Sequence, residues 1–186
     1  MVIEEILKDA EVRMNKTLES LESAFARIRT GRAHPGLLDG VLVSYYGTDT
    51  AISQMANIVV EDGRTLLITP WERGIIPDIE KAILKSDLGL NPAVSSENIR
   101  LPMPPLTEEN RRELTRVARA EAENSKVAIR NIRRDGNNDV KEFLKEKEVT
   151  EDDARRGEDL MQKLTNEKIE EVGKRLEKKE SDLMEI

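Results

Sequence analysis

Eight cations occupy the segment 111–134, namely Arg111, Arg112, Arg116, Arg119, Lys126, Arg130, Arg133 and Arg134. Arginine dominates, and the planar guanidinium presents a fork of donors that matches phosphate oxygens, so the chemistry this group does best is polyanion binding. Only Glu113, Glu121 and Glu123 oppose it, a net +5 inside a chain whose formal charge is −7. Mixed signs and i,i+4 pairs would serve solubility better than a same-sign run. The group contains no Phe, Tyr or Trp, which excludes base stacking and favours phosphate and sugar contacts to a folded RNA. An acidic remainder opposes indiscriminate adhesion to nucleic acid and so restricts contact to one orientation.

Other chemistry is absent from the pattern. There is no cysteine, and the single histidine, His34, stands in the turn-like stretch GRAHPG, where it is expected to be solvated. No GxxxxGK[ST] loop, GxSxG or HExxH occurs. Acid pairs such as Glu61-Asp62 and Asp152-Asp153 sit in a turn and at a helix start, with no second group placed near them. The expectation is no catalytic centre, no metal site and no cofactor. Trp71, in TPWERG, is expected to be buried within its own module.

Three helices are needed to hold the cations in place. On a helical wheel with Arg112 at zero, Arg116, Arg119, Lys126, Arg130, Arg133 and Arg134 fall within about 60° of it, and Arg111 lies at the margin near −100°. Leu114, Ala118, Ala122, Ser125, Ala128, Ile129, Ile132, Val140 and Phe143 fall on the other side. In KVAIRNIRR (126–134), Val127, Ala128, Ile129 and Ile132 are therefore expected to hold the helix to a core while the arginines point away. Glu121 and Asp139 fall on the apolar side and are expected to pair with a neighbouring helix. Gly136 is expected to weaken this helix, by up to about 1 kcal/mol.

Thr107 is an N-cap candidate, with Glu108 and Glu109 in the first turn, and the helix is expected to run to about Lys145. A last helix starts near Glu151, where Thr150 and Asp153 resemble a capping box, with Met161, Leu164, Ile169, Val172, Leu176 and Leu183 as its stripe. The first runs from about Val2 to Arg29, with an exit at Thr30-Gly31, and its apolar residues recur every three or four positions.

Between them the character changes. VLVSYY (41–46), NIVV (57–60) and TLLIT (65–69) are β-prone, Asp62-Gly63 is a hairpin signal, and Ile76, Ile79, Ile83 and Leu84 mark one short helix near Ile76–Lys85. The prolines of LPMPPLT (101–107) are expected to form a stiff extended connector rather than strand. Single-stripe helices must pack on something, so the fold class is α+β: a long three-helix bundle, residues 1–30 and 106–186, interrupted by a small β-rich α+β domain, residues 31–105.

The chain has 186 residues, 36% of them charged and 3% aromatic, a profile that favours long helices over sheet sandwiches. No stretch approaches the roughly 18 apolar residues of a membrane span, and the start MVIEEILKDAEVRM carries acids where a signal peptide carries lysines. These features, with the lack of cysteine, fit a soluble cytoplasmic protein without a membrane partner.

Long ordered stretches also match a family. KDAEVRM (8–14), IRTGRAHPGLLDG (28–40), YYGT (45–48), EKAILKSDLGLNP (80–92), IRLPMPPLTEENR (99–111), VAIRNIRRDGNND (127–139) and DARRGEDLMQKLT (153–165) give a chain that resembles the bacterial ribosome recycling factors over its whole length. The resemblance implies an L-shaped protein whose two arms join through two flexible connectors, carried onto Thr30, Gly31 and Arg32 and onto Pro102, Pro104, Pro105 and Leu106. It implies a monomer that binds large-subunit rRNA of the ribosome through the bundle. With elongation factor G and GTP it would then disassemble the post-termination complex. The family's rRNA-contacting arginines carry onto Arg111, Arg130 and Arg133, with Arg134 alongside. A competing expectation, from the heptad-like spacing of the first helix alone, is a non-enzymatic helical adaptor for protein partners.

Overall fold

The computed structural model describes residues 2–185. In chain order the elements are helix α1 (Val2–Ala26), strands β1 (Leu42–Tyr45), β2 (Thr48–Ala51), β3 (Ala56–Glu61) and β4 (Thr65–Pro70), helix α2 (Ile76–Lys85), strands β5 (Ala93–Val94) and β6 (Ile99–Pro102), and helices α3 (Glu108–Lys145) and α4 (Glu151–Met184). The chain divides into two compact units. One is formed by residues through Phe25 with Arg116–Glu180, the other by Ala26–Thr115 with residues from Ser181 onward. Among the described residues no helix is long and apolar enough to cross a membrane.

In the first unit α1, α3 and α4 pack on one another. The buried residues of α3 are Ala118, Ala122, Ser125, Ile129, Ile132, Gly136 and Val140, each three or four positions after the last, as a seam between helices requires. Gly136 faces Met161 of α4 and Ile6 of α1, and Gly157 of α4 faces Ile3 of α1 and Val140 of α3. Gly136 is therefore a close-packing position, which the expectation of a merely weakened helix overlooked. Arg13 of α1 bonds Asp135 of α3 at 3.0 Å, and Arg175 of α4 bonds Glu22 of α1 at 2.9 Å. Met14, Leu21, Ile129 and Met161 are among the fully buried side chains. Leu164, Ile169 and Leu176, three of the expected α4 stripe, are only half-buried.

In the second unit, an antiparallel pair β1–β2 and a four-stranded antiparallel sheet in the order β3-β4-β6-β5 share a core with α2. Strand alternation sets which side chains enter it. Leu66 and Ile68 of β4 and Ile99 and Leu101 of β6 are buried, beside Ile79 and Ile83 of α2. Asp62 and Gly63 both take positive φ, 53° and 69°, in the β3–β4 turn, as the hairpin signal implied.

Several expectations fail here for local reasons. α1 stops at Ala26 rather than Arg29, and just beyond it the Thr30 hydroxyl accepts from the Arg32 amide at 3.1 Å, a side-chain turn that competes with helix. Pro102 is the last residue of β6, paired with Thr65, where a missing amide is tolerated because β5 pairs only as far as Arg100. β2, TDTA, was not expected; its register with β1 is imposed by the tight turn at Tyr46-Gly47 rather than by hydrophobicity. Leu84 is 57% exposed and leaves the α2 face. Trp71 is 71% exposed, the opposite of its expected burial.

One titration follows from this unit. The Tyr45 hydroxyl donates to Glu72 Oε1 at 2.8 Å, and that bond to a carboxylate pushes the phenol from 10.0 up to about 12. The folded value lies above the unfolded one, so the contribution to stability is complete below about pH 10 and is lost as the pH rises towards about 12. An ultraviolet phenolate titration is expected to show the Tyr45 transition late in the wild type, and Glu72→Gln is expected to return it towards 10.0.

Candidate nucleic-acid interface

Helix α3 starts where the sequence indicates. The Asn110 amide donates to Thr107 Oγ1 at 3.1 Å, and Glu108 and Glu109 occupy the first turn, where the helix dipole favours acids. With the seam of α3 locked to its neighbours, the 3.6-residue turn sends its cations outward. Arg116, Arg119 and Arg134 are exposed, while Lys126, Arg130 and Arg133 are half-buried along their stems. Val127 is 47% exposed, so it does not hold the helix down; Ile129 and Ile132 do.

Neighbouring acids divide the eight cations. Arg119 Nε meets Glu180 Oε1 of α4 at 2.7 Å, a bond that pushes the guanidinium pKa further up and uses its best donor. Arg116 also has an interaction of its own. Arg130 approaches Glu123 only loosely, at 3.7 Å between exposed groups, a pairing that water and salt weaken. Arg133 Nη1 donates to a neutral acceptor, Gln162 Oε1, at 3.3 Å, and Gln162 is itself oriented by Asn166 at 2.9 Å. Among the described residues, Lys126, Arg133 and Arg134 have no carboxylate partner. Glu121 and Asp139, expected to pair across helices, form no ion pair among the described residues, and Asp139 is exposed.

Arg111 and Arg112 belong to the other unit. Arg112 pairs with Glu108 at 2.7 Å. Arg111 is half-buried, its Nε has no hydrogen-bond partner, and it lines a cleft of about 330 Å³ with Gly31, Arg32, Met103, Pro105 and Leu106. Around that cleft Thr30 and Leu106 are buried, and Arg32 reaches Glu185 at 2.6 Å. The cations that stay chemically available are thus concentrated between 126 and 134. Wheel geometry alone could not rank them, because Glu180 and Gln162 are 61 and 29 residues away in sequence. The missed polar residues Gln162 and Asn166 left one faint signal, an amide pair at i,i+4 on α4.

Comparison with known proteins gives the family. A family model described as ribosome recycling factor matches residues 21–184. The chain is similar to the ribosome-recycling factor of Marinomonas sp. (strain MWYL1), 59% identical over 185 residues, and to that of Hahella chejuensis (strain KCTC 2396), 58% identical, with all of each chain covered. Among solved structures, it is similar to a solution structure of the ribosome recycling factor, with TM-score 0.77 and 37% identity over 100% of this chain and 99% of the other. It is also similar to a chain from models of the T. thermophilus ribosome recycling factor and E. coli elongation factor G bound to the E. coli post-termination complex. That match has TM-score 0.71, 41% identity and full coverage of both chains.

Proposed function

The chain belongs to the ribosome recycling factor family, and from that premise we propose how its residues serve the family's task of disassembling the post-termination ribosome with elongation factor G and GTP. The helical unit binds large-subunit rRNA through the α3 face carrying Lys126, Arg130, Arg133 and Arg134. The observation that carries this reading is that Lys126, Arg133 and Arg134 have no carboxylate partner among the described residues, on a helix otherwise laced with ion pairs. Unneutralised guanidinium groups gain most from phosphate, whereas Arg112 and Arg119 would first have to release a carboxylate. Arg116, Arg119, Arg111 and Arg112 have a lesser share.

Residues 30–32 and 102–106 serve as connectors that let residues 31–105 move relative to the helices formed by 1–30 and 106–186. The Thr30 turn and the proline run are stiff segments whose ends concentrate φ/ψ change. The factor acts in the cytoplasm as a monomer and carries no catalytic group; nucleotide hydrolysis belongs to the elongation factor.

Polysome breakdown with elongation factor G and GTP tests this reading. Adding the protein is expected to convert polysomes to monosomes and subunits, and no change on addition would refute it. Binding to isolated 50S subunits is expected to weaken steeply with salt, because each neutralised phosphate releases counterions. A flat salt profile would exclude the cationic face as the main point of attachment.

A further inference from the structure

Both tyrosines of the chain bond one carboxylate, Glu72, and the residue before it, Trp71, is the chain's only tryptophan. Tyr46 occupies the first central position of the β1–β2 turn with φ 49°, followed by Gly47 at 82°. That left-handed geometry suits Asn, Asp or Gly, so an aromatic side chain there is a strained choice. The Tyr46 ring is 83% exposed and stands edge-on to Tyr45, with centroids 4.5 Å apart. Both hydroxyls donate to one carboxylate, Tyr45 to Glu72 Oε1 at 2.8 Å and Tyr46 to Oε2 at 3.3 Å. Trp71, the preceding residue, is 71% exposed. Folding explains neither the strained turn residue nor the exposed rings, and strained backbone with fixed aromatic rings is characteristic of binding surfaces.

The charges select the kind of occupant. The hairpin 42–51 has no Lys or Arg and one acid, Asp49. Nearby, Arg73 is engaged by Glu97 at 3.0 Å. A carboxylate held at the hydroxyl edges of two tyrosine rings, one of them largely exposed, repels a phosphate backbone and attracts a guanidinium or ammonium group that lies over the free ring face. We propose that Tyr46, Trp71 and Glu72 form the docking patch for the GTPase partner of recycling and receive an arginine or lysine side chain of that protein. The partner's identity rests on the function proposed above; the kind of interaction rests on the patch itself.

The test uses the full chain with Tyr46→Asn, which suits the turn and removes the ring. Its melting temperature is expected to be no lower than wild type, and its 50S binding to stay within about twofold, because the ring is not part of the rRNA-binding face. The elongation factor G concentration needed for half-maximal polysome breakdown is expected to rise about tenfold, as for an interface anchor. Trp71→Ser, at an exposed position, carries the same expectation if Tyr46→Asn melts early. An unchanged requirement for elongation factor G in both variants overturns the patch while leaving the functional reading intact. A fall in 50S binding that matches the fall in breakdown also overturns it, because the patch would then touch the ribosome. A wild-type protein that leaves polysomes intact refutes the functional reading, and the patch's partner with it.

Discussion

Replacing Arg130 and Arg133 together by alanine is expected to weaken 50S binding about a hundredfold at moderate salt, roughly tenfold for each charge-assisted hydrogen bond to phosphate that is removed. The slope of log affinity against log salt is expected to become shallower by about two, one for each phosphate released. Stability should barely move. Arg130 has only the loose 3.7 Å approach to Glu123, and Arg133 only a 3.3 Å bond to a neutral amide. The thermal melt is therefore the control that separates loss of a binding face from loss of fold. Arg119→Ala supplies a second contrast, because its guanidinium is held by Glu180 at 2.7 Å and its removal is expected to change binding much less. Equal losses from Arg119→Ala and from the double variant would refute the division of the stripe into engaged and available cations.

Gly136→Val is expected to lower the stability of the protein by about 3 kcal/mol, an overpacking cost, and the melting temperature by roughly 5–10 °C. Helix propensity argues the other way for the smaller change, since Gly→Ala inside an exposed helix gains about 1 kcal/mol. Tertiary packing reverses that sign. A side chain added at Gly136 meets the Met161 methyl, the end of a flexible side chain, with Ile6 Cγ2 3.7 Å away, and Met161 is itself fully buried, so its methyl has to repack within the seam. Gly136→Ala is therefore expected to destabilise the wild type but to stabilise a Met161→Ala background, where the obstructing methyl is gone. Denaturant unfolding of the four-protein cycle measures the coupling, expected to exceed about 1 kcal/mol. Additive effects would show that α3 and α4 yield without strain at this point.

Much of the fold was legible because local rules and burial agree. α2 spans Ile76–Lys85 as its isoleucine spacing implied, and α3 spans Glu108–Lys145 between an N-cap threonine and a basic last turn. The misreadings arise where local preference competes with neighbours. Pro102 lies in a strand because β5 pairs with β6 only as far as Arg100 and so needs no amide from it, and β2 forms from TDTA because a turn brings it beside β1. Trp71 and Val127 lie at the surface although their types favour burial. An apolar side chain states a preference for burial, but the surface left after packing includes apolar groups as well.

The sequence by itself determined the α+β class, the three long helices and the helix face on which the cations stand, because periodicity and capping are properties of residues a few positions apart; the family followed from the resemblance of long ordered stretches. Only the tertiary structure decided which cations are available. Glu180 lies 61 residues from Arg119 and Gln162 lies 29 from Arg133. Helix packing therefore sets one guanidinium against a carboxylate and the other against a neutral amide. Charge compensation acts over a few ångströms in space, a distance that separation along the chain does not record.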